Sequence, residues 1–187
     1  VAGEVFRDQE EKLEVILMAV QRETVDRFIK IAEMSRMDVV GLIPEPKALL
    51  DCFHGLFKRN DQETTMYIDI GFCGTRVIVA DQEAIRFVRF IPIGGDQFNY
   101  SASVVLKVPV HEARNRRIQL AATHDEDPKS GTPIDPISDP VTAKRMAERG
   151  LIADACKDPL DRLVTELELC RRYHEATFPN RPVDRII

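Results

Sequence analysis

The sequence has no apolar run close to the roughly 20 residues that a helix needs to cross a bilayer. Its longest, VILMAV at Val15–Val20, has the length of a strand. The N-terminal residues do not read as a signal peptide. There is no basic excess either. Lys and Arg number 26 against 31 Asp and Glu, for a net charge of -5 and a pI near 5.5. An acidic chain repels a phosphate backbone, which argues against nucleic acid as a partner. Cysteine is sparse: Cys52, Cys73, Cys156 and Cys170 stand too far apart for a zinc knuckle or a redox pair. Each lies in an apolar or helical context, so four buried free thiols are expected, which suits a reducing compartment. His54, His111, His124 and His174 show no ligand spacing and are expected on the surface or on helix faces. No internal repeat is visible.

What is present is the composition of a soluble globular chain, 44% hydrophobic and 30% charged over 187 residues. That length carries one good core or two small ones. The chain starts at Val1 and stops at Ile187 in a strand-like stretch, so both ends read as cuts in a longer protein. Lys12–Val20 reads as a buried strand. A helix follows in RETVDRFIKIAEMSRM, with Val25, Phe28, Ile29 and Ala32 on one face and Thr24 as N-cap. Asp38–Pro46 reads as a second strand. The helix after it has Pro46 in its first turn and a face of Ala48, Leu49, Cys52, Phe53, Leu56 and Phe57. Asn60–Thr64 is a polar linker.

Three strands come next: TMYIDI, TRVIVAD and EAIRFVRFIPI, with a hairpin turn at Asp81–Glu83. A helix is expected over Asp96–Lys107, and another in PVHEARNRRIQLAAT. The segment from Asp125 to Pro140 has no apolar period and reads as a disordered loop. Helix resumes at Val141. Leu160, Leu163, Val164, Leu167, Cys170 and Tyr173 form a stripe expected in the core, and VDRII begins a strand. RNRR at Arg114–Arg117 reads as a solvated helix face or as a patch for an acidic partner.

The chemistry worth weighing lies at the first of the three-strand turns. Asp69 ends a strand and enters a turn made with Gly71 and Gly74, closed by Thr75. Such a turn leaves backbone N–H groups free to cradle an anion. The Thr75 hydroxyl can donate to an oxygen, and a strand-end Asp can hold a metal-bound water. Gly94 and Gly95 allow close backbone approach where the third strand gives way to a helix. The same residues also make an ordinary capped hairpin, and both readings stand at this point. Cys73 has no base near it in sequence and reads as a structural thiol.

Taken in order, YIDIGFCGTRVIV, FVRFIPIGGDQF and a helix resemble the second half of the actin-like ATPase fold. More narrowly, they resemble the type IV pilus assembly protein PilM family and its relative, the cell-division protein FtsA. Upstream, EVILMAVQRETVDRFIKIAEMSRMDVVGLIPEPKALL is similar to the pilus protein's inserted small subdomain and the return to its first core. Downstream, DPLDRLVTELELCRRYHEATFPNRPVDRII is similar to the long helix and strand before the adenosine-binding glycines. The resemblance implies an α/β fragment of an actin-like (ribonuclease H-like) fold with a small inserted α+β subdomain. Residues 1–44 would end the subdomain, 45–64 would be a first-core helix and linker, and 65–187 would be the second core. That core would carry a mostly helical insertion at about 99–181, with the 125–140 loop inside it.

By the same resemblance, Asp69, Gly71, Gly74 and Thr75 match the second phosphate loop, with Asp69 holding Mg²⁺ through water. Gly94 and Gly95 match the glycine pair behind the nucleotide cleft. The implied cofactors are ATP and Mg in the full-length parent. The sequence departs from the pattern at Phe72, Cys73 and Arg76, and at Arg114 and Arg117 where Glu and Lys are usual. The first phosphate loop would precede Val1 and the adenosine glycines would follow Ile187, so this stretch alone is expected to bind no ATP. The implied function is a non-enzymatic cytoplasmic scaffold at the inner face of the inner membrane. It would bind the cytoplasmic tail of an inner-membrane pilus partner, respond to nucleotide, and touch the membrane only through that partner; self-association is open to it. The alternatives are an active actin-fold ATPase or kinase, and a nucleotide-free actin-like domain of a secretion-system membrane protein.

Overall fold

Alternating apolar residues make strands, and apolar residues at steps of three and four make helices; both patterns recur along this chain. The computed structural model of the protein describes residues 3–7, 10–56, 63–81, 84–122 and 140–187. In order, the elements begin with β1 (Gly3–Arg7), β2 (Glu10–Glu14), α1 (Arg22–Met34) and α2 (Glu45–Leu56). Then come β3 (Thr64–Ile70), β4 (Thr75–Asp81), β5 (Ala84–Ile91) and α3 (Gly95–Leu106). The last four are α4 (Val110–Ala122), α5 (Pro140–Ala155), α6 (Lys157–Thr177) and β6 (Arg185–Ile186). β1 and β2 pair antiparallel, with Gly3 opposite Glu14 and Arg7 opposite Glu10. The other strands form one sheet in the order β5-β4-β3-β6. The short turn from β3 to β4 permits only a reversal, so these neighbours run antiparallel. β6 adds to the far side of β3 in parallel, Thr65 opposite Arg185 and Met66 opposite Ile186. The result is a mixed α/β fold.

The chain divides into two units. The first takes Val1–Ile68, Val77–Arg89 and Cys170–Ile187. Its core joins Leu50 of α2 to Tyr67, Ile78 and Ala80 of the sheet, with Leu49, Phe53, Ile85 and Ile187 against them. Phe53 stacks on Tyr67 with ring centroids 5.1 Å apart. Each large apolar side chain withdrawn from water contributes about 1.5–3 kcal/mol, so this cluster is what holds α2. Polar contacts fix the chain's return through β6. The Thr64 N–H donates to the Asp184 carboxylate, and the Asp184 N–H donates to the Thr64 carbonyl, both at 2.9 Å. The buried Asp81 carboxylate is shared by Arg86, at 3.2 Å, and Arg181. His174 is fully buried beside Phe178, and its Nε2–H donates to the Arg181 carbonyl at 2.9 Å.

The second unit takes Asp69–Arg76 and Phe90–Leu169. Ala102, Ala113 and Ile152 are its core on α3, α4 and α5, with Leu106, Val108, Leu120 and Cys156 packed around them. The arginines of RNRR are largely put to use inside this unit. Arg117 Nε donates to the buried Asn99 side chain at 3.0 Å. Arg116 binds Glu112 on its own helix and Glu148 on α5, the latter at 2.8 Å. Arg114 is exposed.

Most elements fall where the sequence puts them, and most exceptions have one cause: apolarity does not by itself bring burial. Val15–Val20 and Asp38–Pro44 are irregular, not strands, and Leu17 and Val40 are 87% and 101% exposed. Among the described residues no strand pairs with either segment, so neither has a ladder of backbone hydrogen bonds. α1 begins two residues before Thr24, with Gln21 as N-cap. On α2 it is Leu50 that goes under, while Cys52 and Leu56 stay exposed. On α6 the buried positions include Leu163, Cys170 and His174; Leu160, Val164 and Tyr173 are exposed. Cys73 is also exposed and Cys156 half-buried, so only Cys170 meets the expectation of a buried thiol. The 125–140 stretch and His124 lie outside the described residues, apart from Pro140, which opens α5. The same holds for Phe57, for Asn60–Gln62 of the linker and for the centre of the Asp81–Glu83 turn.

His174 makes the first unit sensitive to pH. Burial holds its pKa below the ordinary 6.5, and the Arg86 charge acts in the same direction; the hydrogen bond to Arg181 and the Glu175 charge oppose them. The unfolded chain therefore takes up the proton first as pH falls, and the stabilisation present above 6.5 is lost below it. The urea midpoint should drop between about pH 7.5 and about pH 5.5, and His174→Gln, which keeps a donor for Arg181, should drop less. An equal drop in both proteins would contradict this.

Candidate functional site

β3 leaves the sheet at Asp69 and Ile70, and the chain reverses through Gly71, Phe72, Cys73 and Gly74 into β4. Inside the turn the Gly71 N–H donates to the Gly74 carbonyl at 2.9 Å. Two carbonyls then face outward, and both are taken up by α3. The Gly95 N–H donates to the Gly71 carbonyl and the Asp96 N–H to the Phe72 carbonyl, each at 3.0 Å. A helix begins with N–H groups that have no partner within it. Here a second turn of the same unit supplies partners for two of them. Gln97 completes the cap: its side-chain oxygen accepts from the Gly94 N–H at 2.8 Å, and its amide donates to the Pro92 carbonyl at 3.1 Å.

The glycines are set by this close approach. A Cβ on Gly94 would fall onto the Gly74 nitrogen, 2.6 Å from the Phe72 carbonyl oxygen and 2.7 Å from that of Gly71. A Cβ on Gly74 would strike the Phe90 ring and lie 2.7 Å from the Ile91 carbonyl oxygen. Gly71 is tight against Gly74 and Arg76, at 3.0 and 3.2 Å. Gly95 has ordinary room, 3.8 Å to its neighbours, so its N–H is what the structure uses.

All six residues singled out in the sequence thus meet in one place, the junction of the β3–β4 turn with the start of α3. Thr75 is fully buried, and its hydroxyl donates to the Ile93 carbonyl at 2.7 Å. Asp69 is met by Arg76 across the hairpin, 3.4 Å from its carboxylate. The Arg76 guanidinium in turn lies over the Phe90 ring, 5.9 Å from its centroid, a cation–π contact. Phe72 and Cys73 stand exposed at the tip, and their N–H groups have no backbone acceptor among the described residues.

A magnesium-bound phosphate asks for a free hydroxyl, free N–H groups and an unopposed carboxylate. The residues present do not fit that group. The Phe72 and Cys73 N–H groups at the tip have no backbone acceptor among the described residues, but the Thr75 proton goes to Ile93, the first N–H groups of α3 go to the turn, and Asp69 faces a guanidinium. Asp96 adds a buried carboxylate oxygen with no donor among the described residues. Sequence reasoning marked Arg76 only as a departure from the pattern, without its pairing to Asp69, and missed Phe90, Asp96 and Gln97 as parts of the site. The available signal was Arg76 seven residues after Asp69 across a four-residue turn, a spacing that brings the two side chains together in a hairpin.

Gly94→Ala should destabilise the protein by about 2–4 kcal/mol, because the new methyl meets backbone that cannot move alone. Gly150→Ala is the control. It lies within α5 with nothing inside 4 Å of the added carbon, and should stabilise by about 0.5–1 kcal/mol. Urea midpoints of the two variants check both signs.

No protein-family model and no curated protein matches the sequence. Solved structures do match. The chain aligns with one from the PilM-PilN type IV pilus biogenesis complex at a TM-score of 0.62 and 15% identity, over 89% of this chain and 40% of that one. It aligns with the ethanolamine utilization protein EutJ from Carboxydothermus hydrogenoformans at a TM-score of 0.48 and 13% identity, over 85% of this chain and 55% of that one. The chain therefore spans less than two thirds of the length of either structure. At such identities the likeness to the pilus protein is one of fold, and the fold it shows is part of an actin-like α/β architecture.

Proposed function

We propose that the chain is part of an actin-fold scaffold protein of a type IV pilus or related secretion assembly. It works in the cytoplasm at the inner membrane and binds the cytoplasmic tail of a membrane-anchored partner. The observation that carries this reading is the alignment of 89% of the chain with a structure from the PilM-PilN complex. One feature favours a binding role: α1 carries an apolar stripe, Phe28, Ile31 and Met34, that is 56–77% exposed, and no residue of this helix is buried. Uncovered stripes of this kind mark contact surfaces. Among the described residues no helix is long and apolar enough to cross a membrane.

A second reading, a nucleotide-free actin-like domain of a secretion-system protein, is favoured by one contact, the pairing of Asp69 with Arg76. In either reading the chain positions a partner and performs no turnover of its own.

The test uses peptides that copy the cytoplasmic tails of single-span membrane proteins encoded beside its gene, titrated by fluorescence anisotropy. One tail should bind with a Kd in the region of micromolar, and Ile31→Asp should weaken it about tenfold without changing the circular dichroism spectrum. If no tail binds below about 1 mM, the proposal is wrong.

A further inference from the structure

The chemistry of the turn carries one step more. In a phosphate loop a strand-end carboxylate serves a divalent cation, and the cation is what neutralises it. Here a cation is already in place and belongs to the chain. Arg76 Nη1 stands 3.4 Å from Asp69 Oδ2. The same nitrogen lies 3.2 Å from where a Cβ on Gly71 would be, so the guanidinium rests directly on the turn. Its other support is the Phe90 ring. Arg76 is two-thirds covered, and Asp69 only somewhat less, so the pair is partly withdrawn from solvent screening. A guanidinium is charged at every pH a protein meets, and unlike a metal ion it does not dissociate.

We propose that Arg76 is a resident counter-cation at the β3–β4 turn. It takes up the carboxylate that a bound divalent ion would otherwise neutralise, and so keeps the turn closed on α3 without metal or nucleotide. The turn becomes a fixed structural clasp. Whatever changes the scaffold's affinity for a partner then acts elsewhere. The inference concerns only the second unit and does not rest on the pilus reading. A scaffold whose turn binds metal would leave the proposed function standing and remove this one, and the reverse holds if no tail binds.

The experiment is paramagnetic broadening of backbone amide signals by Mn²⁺ added alone. In the wild-type chain the Gly71–Thr75 amides should keep their intensity. In Arg76→Gln the same amides should broaden at roughly tenfold lower Mn²⁺ than in wild type, because the carboxylate has lost its competitor. The effect should vanish in the double variant Asp69→Asn/Arg76→Gln. Arg76→Met, which keeps the packing of the stem over Phe90, repeats the test should the Gln variant unfold. Broadening of the turn in wild type equal to that in the single variant would overturn the proposal. So would its absence from both single variants, or its persistence in the double.

Discussion

Two N–H groups at the start of α3 and two carbonyls of the β3–β4 turn satisfy one another, and the rest of the second unit is arranged around that exchange. Without it, a helix end and a turn would each keep unpaired backbone groups, and burying such groups costs about 1–3 kcal/mol apiece. With it, the chain before α3 must press against the turn so closely that no side chain fits between. Gly74 and Gly94 meet that steric demand. Thr75 and Ile93 lock the junction from the inside, and Arg76 locks it from the outside through Asp69 and Phe90. The helix that emerges then carries Ala102 and Asn99, against which α4 sets Ala113 and Arg117.

Much of this was legible in the sequence, and the reasons are local. TRVIVAD is β4 to the residue, and the helix after Gly94-Gly95 starts one residue from where the glycines suggest. Both follow from strong periodicity bounded by turn residues, which needs no knowledge of the rest of the molecule. The six candidate residues converge because two glycine-bearing turns lie at the ends of adjacent strands. What was not legible is what each polar atom faces. Thr75 reads as a free donor until Ile93 is seen beside it. Arg76 reads as a departure from the family pattern at the start of a strand until the hairpin sets it against Asp69. The apolar segments Val15–Val20 and Asp38–Pro44 failed for a different reason: hydropathy reports a preference for burial, whereas burial needs something to supply the cover. His174 failed in the opposite sense, as a polar ring made buriable by Phe178 and the Arg181 carbonyl.

The two units differ in what they leave open. The first has an apolar helix stripe turned to solvent, and its return strand is tied by Asp81, Arg86, Arg181 and Asp184. The second has a turn whose Thr75 hydroxyl and Asp69 carboxylate are engaged within the chain. The actin-like fold is shared by proteins of many activities, so the fold leaves the choice to these side chains.

The central claim is that the turn caps the helix, and amide hydrogen exchange at Gly95 and Asp96 addresses it most directly. First-turn amides of a helix ordinarily lack an acceptor and exchange quickly. If Gly71 and Phe72 accept from them, both should be slowed about a thousandfold or more, close to the amides of β4. Exchange of Gly95 and Asp96 at the rate of an open loop would contradict the account.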